Sequence, residues 1–387
     1  MNFARKMTFA IALFVGAMAV SAQNFVLEGK VKGNVEGASV VLQKYDSNDV
    51  STFDSTVVKN GEFTFRSDVR EPGNYQLVID TNKPGTEMPD FQKMWATRIY
   101  LENTPMTFAI DLTDMQKGIE PDRIKATITG SATQDIFQKY LDLTDALSFQ
   151  IDSLEGAVDE AVDLQQRVAI AKQSQKLKAE LRQKVNQFIQ DNKGSLVAVD
   201  LVTEALMDLP CPYTEAQVDE MLGWLTADWN GKTSYINLQK QADFAKQTAV
   251  GKPFIDGVFV DKMGKKVRLS SLIKKGEYTM LEFWASWCHP CRQEIPHLKK
   301  VHERYKDFNI ISISIDEREA DWKKAMNKEG MTWTQLRNPE SFGGVVADKY
   351  GITAIPACII LDKEGNFYKT NMRGADLDAF LYDYYKR

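Results

Sequence analysis

The 387-residue sequence predicts a multidomain chain with an all-β sandwich, then an α-helical segment, then an α/β domain whose mixed sheet is covered by helices on both faces. Three observations carry that expectation. Short alternating apolar and polar segments, broken by turn residues, run from residue 24 to about 112. Apolar residues three and four apart, with few Gly or Pro, run from about 131 to 249. Beyond residue 250, continuous apolar runs of strand length alternate with helical stretches.

The chain opens Met1-Asn2-Phe3-Ala4-Arg5-Lys6, stays apolar over residues 7–20 and reaches Val20-Ser21-Ala22 before Gln23. A basic start, a short apolar stretch and a small-residue site make residues 1–22 a secretory signal peptide, and the apolar run is short for a membrane-spanning helix. No Cys near the cleavage point is available to carry a lipid. The expectation is therefore a soluble, non-lipidated periplasmic protein starting near Gln23. The formal charge is −5, and removing Arg5 and Lys6 takes it to −7. Such mild acidity leaves no electrostatic footprint for nucleic acid or an anionic membrane.

Residues 23–130 are expected to form the β-sandwich, with strands at 25–29, 38–42, 62–65 and 75–79. Lys59-Asn60-Gly61-Glu62 is a hairpin signal. No metal-ligand spacing or paired carboxylates occur there, which fits a docking or spacer role. Residues 131–249 are expected to be helical. Ile136, Tyr140, Leu143 and Leu147 share one face, as do Leu181, Val185, Phe188 and Ile189. Asn192-Lys193-Gly194 ends the first part, an expected helical hairpin, and Ser195 caps the next helix. This segment is expected to connect the two ends or to form a homodimer.

Residues 250–387 make the last domain. A hairpin over 259–269, turning at Asp261-Lys262-Met263-Gly264, precedes an apolar strand at 280–284. That strand feeds a turn and then a helix carrying Cys288 and Cys291 at i and i+3. Two thiols at that spacing can close a disulfide and reopen it. Cys288 also lies at the helix N-terminus, where unpaired N–H groups and the helix dipole favour a thiolate. Half of a zinc site is the competing reading of such a pair, but no second pair lies at workable spacing, so no metal is expected. Next come an expected buried strand at 309–315, a helical stretch at about 317–330 and a strand at 357–361.

Trp287-Cys288-His289-Pro290-Cys291 resembles the active site of thioredoxin-like proteins, in particular the secreted TlpA/ResA-like thiol-disulfide oxidoreductases. The resemblance covers residues 250–387, and about 316–345 matches an insertion that separates this family from plain thioredoxin. The β-sandwich more loosely resembles an uncharacterised module found before such domains. The resemblance implies a redox-active Cys288–Cys291 disulfide, with Cys288 as nucleophile and Cys291 as resolving thiol. It gives Pro356 the place of a cis-proline facing the disulfide, with Ile355 before it, and makes that backbone the partner of an extended substrate. Glu282 falls where thioredoxin has a buried acid serving the resolving thiol, and a carboxylate buried in a strand has its pKa raised.

Trp287, His289 and Pro290 are candidate substrate-contacting residues. Trp284 is a candidate for either the site or the core, and His297 and His302 are expected on a solvated helix face. Cys211 and Cys358 are expected to be buried small hydrophobes. The function implied is a disulfide reductase exchanging electrons with protein cysteines, without a cofactor, and recharged by a membrane electron donor. One alternative is a thiol peroxidase, although Ala285 stands where such sites place Thr or Ser. Another is a binding or assembly protein that uses the redox site only as an anchor.

Overall fold

The computed structural model describes residues 25–46, 49–69, 71–82, 90–113, 124–158, 160–208 and 210–386. The expected signal segment, residues 1–22, lies outside them. The chain forms two compact units, residues 1–135 and 136–387.

In the first unit, β1 (Phe25–Lys32), β2 (Ser39–Asp46), β3 (Asp49–Val57), β4 (Glu62–Ser67), β5 (Gly73–Asp80), β6 (Met94–Leu101), β7 (Pro105–Asp111) and β8 (Thr127–Thr129) form two sheets. Their orders are β4-β1-β7-β8 and β3-β2-β5-β6. Alternation in β1, β4 and β7 sends one face inward. Phe25, Leu27, Phe65 and Phe108 from one sheet share a core with Leu42, Leu77 and Ile99 from the other, so the sandwich stands. The turn at Lys59 differs in its use from the sequence reading. Asn60 and Gly61 have φ of 53° and 74°, and Lys59 and Glu62 exchange backbone hydrogen bonds of 2.8 and 3.0 Å. The positive-φ turn forms, yet β3 and β4 enter different sheets. It is a corner between sheets rather than the end of a paired hairpin.

Five helices follow: α1 (Ala132–Ala157), α2 (Leu164–Asp191), α3 (Leu196–Ala205), α4 (Glu215–Trp224) and α5 (Thr233–Gln247). Ser195 caps α3 by accepting the Ala198 N–H at 3.1 Å, and Thr214 with Gln217 closes a capping box on α4.

Next come β9 (Val258–Asp261), β10 (Lys266–Arg268), β11 (Thr279–Trp284), α6 (His289–Arg304), β12 (Asn309–Ser314), α7 (Glu319–Glu329), β13 (Thr334–Arg337), β14 (Ala357–Leu361), β15 (Phe367–Thr370) and α8 (Gly374–Tyr385). The sheet order is β10-β9-β13-β12-β11-β14-β15. β11 runs parallel to β12 and antiparallel to β14. All residues of β11 and β14 are buried, so both sheet faces are covered. The helical segment and this sheet share one unit. Val168 and Ala171 of α2 pack against Ala375 and Ala379 of α8, and small side chains let the two helices approach closely.

Candidate active site

The site grows from the C-terminal end of β11. A strand buried on both faces must stop where the chain turns back to the surface, and residues 285–288 make that turn. The Cys288 N–H donates to the Ala285 carbonyl at 3.1 Å. Cys288 is the N-cap of α6, with Pro290 in the first turn, where its missing N–H costs no helical bond. Cys288 and Cys291 are joined in a disulfide with a Cα–Cα distance of 5.3 Å. The Cys291 N–H donates to Cys288 Sγ at 3.2 Å. In the reduced state that donor and the helix dipole stabilise a Cys288 thiolate. Cys288 is 4% exposed and Cys291 0%, so a partner sulfur arriving from solvent meets Cys288 first.

Glu282 lies at the middle of the site's strand. The register pairs it with Ser312 of β12 on one side and Cys358 of β14 on the other. Burial pushes its pKa up to about 7, and the nearby Glu294 carboxylate adds to the rise, while a hydrogen bond with the Ser312 side chain pulls it back. Its Oε2 has no hydrogen-bond partner. An edge position with solvent access is excluded.

The Ile355-Pro356 peptide bond is cis. Because Ala357 pairs with Phe283, Pro356 comes level with the end of β11, from which the chain turns to Cys288. Trp287 is 62% exposed, and His289 and Pro290 are exposed beside it. Ile355 is half-buried against the core. Trp284 is wholly buried and belongs to the core. Among the described residues, no group of three or more His, Cys, Asp or Glu could hold a metal ion.

Over residues 276–367 the chain matches a thioredoxin-like family model, and over 25–137 it matches the model of a domain of unknown function, DUF4369. It is 28% identical over 151 residues to the thiol-disulfide oxidoreductase ResA of Bacillus cereus, covering 38% of this chain and 84% of that protein. To ResA of Bacillus subtilis it is 26% identical, covering 33% and 69%. Among solved structures, the thioredoxin domain of a thiol-disulfide oxidoreductase from Bacteroides vulgatus shares 32% identity, covering 35% of this chain and 97% of that one, with a TM-score of 0.33. The chain is TlpA/ResA-like, with a thioredoxin-like domain at its C-terminal end. Its thioredoxin-like domain carries the redox pair of this TlpA/ResA-like enzyme.

Two histidines correct the sequence reading. His297 is not on a solvated face, because its Nε2 lies 2.8 Å from Asp378 Oδ1 and its side chain is 18% exposed. His302 lies against Trp333, ring centroids 5.6 Å apart, and burial lowers its pKa. Cys211 and Cys358 are buried, as expected. The Cys358 thiol lies 3.0 Å from the Met372 carbonyl, and burial pushes both thiol pKa values up. Sequence reasoning missed Asp316, whose carboxylate accepts from the backbone and side chain of Ser286, and Arg337, which donates to the carbonyls of Asp316 and Glu317. Only the length of the gap between β12 and β14 hinted that something there served the site.

Glu282 gives a prediction with a definite sign. An acid with a raised folded-state pKa keeps its proton in the native chain where the unfolded chain has lost it, so stability falls as pH rises from about 4.5 to about 7. The loss across that window is roughly 3 kcal/mol. Glu282→Gln cannot ionise, so denaturant unfolding of the oxidised protein should show that slope in the wild type and lose it in the variant. Equal slopes for both proteins would remove the raised pKa.

Proposed function

We propose that this oxidoreductase is a disulfide reductase acting on protein cysteines outside the cytoplasm. The observation that carries it is the Cys288 sulfur at the α6 N-terminus, accepting the Cys291 N–H while Cys291 stays buried behind it. The Cys288 thiolate attacks one sulfur of a client disulfide, forming a mixed disulfide and releasing the other client sulfur as a thiolate. Cys291 then loses its proton and attacks Cys288 Sγ, which closes the Cys288–Cys291 bond and frees the second client thiol. Two electrons pass from the pair to the client. Glu282 is the acceptor for the Cys291 proton, since a carboxyl with a pKa near neutrality exchanges protons readily. Pro356 and Ile355 offer backbone to an extended client, and Trp287, His289 and Pro290 line its approach.

The direction rests on Pro290 before Cys291, Ile355 before Pro356 and the acid at Glu282, all of which resemble reductant members of the fold. His289 beside Cys288 favours the thiolate and works against them. A reductase in an oxidising compartment needs continual recharging, here by a membrane-held dithiol donor. Equilibration of the pair against glutathione tests the direction. The expected potential lies nearer about −270 mV than about −120 mV, and a value more positive than about −180 mV would replace the reductase with an oxidase or isomerase.

A further inference from the structure

We propose that Asp316 is a positioning residue for the active-site turn, fixing the backbone that presents Trp287 and Cys288 to a client. Asp316 follows β12 by two residues and is 2% exposed. Its Oδ2 accepts the Ser286 N–H at 2.9 Å and the Ser314 hydroxyl at 2.7 Å. Its Oδ1 accepts the Ser286 hydroxyl at 2.6 Å. The Asp316 N–H returns a bond to Ser314 Oγ at 3.0 Å. Both carboxylate oxygens are thus aimed at the residue two before Cys288 and at the strand end beside it.

The acid is itself held from the far side. Arg337, at the end of β13 and 9% exposed, donates Nη1 to the Asp316 and Glu317 carbonyls, each at 3.2 Å. The Asn338 N–H donates to the Ser314 carbonyl at 2.8 Å, and the Ser341 hydroxyl to the Ile315 carbonyl at 2.8 Å. A continuous chain of contacts therefore runs from the segment between β12 and β14, through Asp316, to Ser286. It gives that segment a function at the redox centre.

The turn needs such a clamp for a physical reason. Trp287 is 62% exposed, so packing of its own side chain does little to fix the backbone around it. Within residues 285–288, the Cys288 N–H fixes one point by donating to the Ala285 carbonyl at 3.1 Å. The bidentate grip on Ser286 supplies a second fixed point, and two points define the direction in which Cys288 leaves β11. A merely structural brace could be apolar. A buried carboxylate is costly unless its oxygens are used, and here they are used on the turn.

The test compares Asp316→Ala with Asp316→Asn. Three readouts are kcat/KM with a protein disulfide, the alkylation rate of Cys288 in the reduced protein, and thermal unfolding. Alanine removes all three bonds to the carboxylate. A misplacement on the order of 1 Å costs about 10²-fold in rate, so a fall of that size in kcat/KM is expected, with a changed Cys288 alkylation rate. Asparagine still accepts the Ser286 N–H, and its amide can donate to Ser286 Oγ after the hydroxyl turns, so most of the activity should return. A drop in thermal stability for Asp316→Ala with wild-type kcat/KM and alkylation would reduce the residue to a fold brace and overturn the proposal. So would an asparagine variant as slow as the alanine one. If Asp316→Ala does not fold, Ser286→Ala removes only the hydroxyl bond and should give an intermediate loss of kcat/KM, and wild-type turnover there also overturns it. The wild type in the same assay reports separately on whether exchange occurs.

Discussion

Replacing Cys288 with Ser should abolish disulfide exchange, whereas replacing Cys291 with Ser should leave a protein that captures clients and cannot release them. The two thiols have unequal places in the structure, and the asymmetry of the expected result follows. Cys288 caps α6 and receives the Cys291 N–H. Cys291 lies within the first turn, wholly buried, next to a strand whose only acid has a pKa near 7. Attack needs a thiolate reachable from solvent, and of the pair Cys288 is the more exposed, which is why it is the proposed nucleophile. Release needs a second thiolate generated out of water's reach, which is the place of Cys291. Serine in either position forms no disulfide, so each variant halts the cycle at a different step. Mass spectrometry of Cys291→Ser after mixing with an oxidised protein should show a covalent adduct at Cys288, while Cys288→Ser should show none. Equal alkylation rates for the two reduced wild-type thiols would contradict the division of labour. In cells, adducts of Cys291→Ser should join proteins outside the cytoplasm to a chain beginning near Gln23. Recovery of the adducts in the cytosol with Met1 intact would overturn the proposed location.

The redox centre was legible because its chemistry is local in sequence. Two Cys at helical spacing, a Pro between them, a Trp before them and a buried-type strand leading in all fall within a few residues of one another. Pro356 was legible through the family resemblance, which gave it the place of the cis-proline, and the Ile355-Pro356 bond is cis. The helical segment was readable by periodicity, and Ser195 announced the start of α3. What escaped depends on partners far apart in the chain. Asp316 sits at the end of an apolar strand, where a polar residue reads as an ordinary turn, and nothing nearby marks Ser286 as its partner. β13 has one half-buried and three buried positions, without alternation, so neither period shows in so short a stretch. β3 carries Ser, Thr and Asp at the edge of its sheet, where solvent removes the need for an apolar pattern. The turn at Lys59 shows the same limit in another form: its residues specify the turn, but which sheets it joins is decided by the core.

The histidine that sequence placed on a solvated face leads to the second large effect, which concerns stability. Asp378 on α8 is 5% exposed. Its Oδ1 faces His297 of α6, and its Oδ2 accepts Arg167 Nε of α2, both at 2.8 Å. One buried carboxylate thus joins the helical segment to the active-site helix. The bonds to His297 and Arg167 hold its pKa down against the opposing effect of burial. A depressed acid contributes stability that is present above the unfolded carboxylate pKa and is lost as the pH falls through the folded one. Around this contact lie Lys172 with Asp383 at 2.5 Å and Gln175 with Asp376 at 2.8 Å, but these are more exposed and worth little each. Asp378→Ala would leave Arg167 and His297 facing an empty site. Removing one partner of a buried pair costs about 3–5 kcal/mol, so the variant should unfold at markedly lower denaturant concentration at pH 7. Asp378→Asn, which keeps the shape and one acceptor, should lose less. Because the clamp reaches α6 beyond Cys291, Asp378→Ala should also raise protease cleavage within both α2 and α6 together. Cleavage confined to α2, with α6 protected as in the wild type, would mean that the helical segment is only tethered to the redox domain and not built into it.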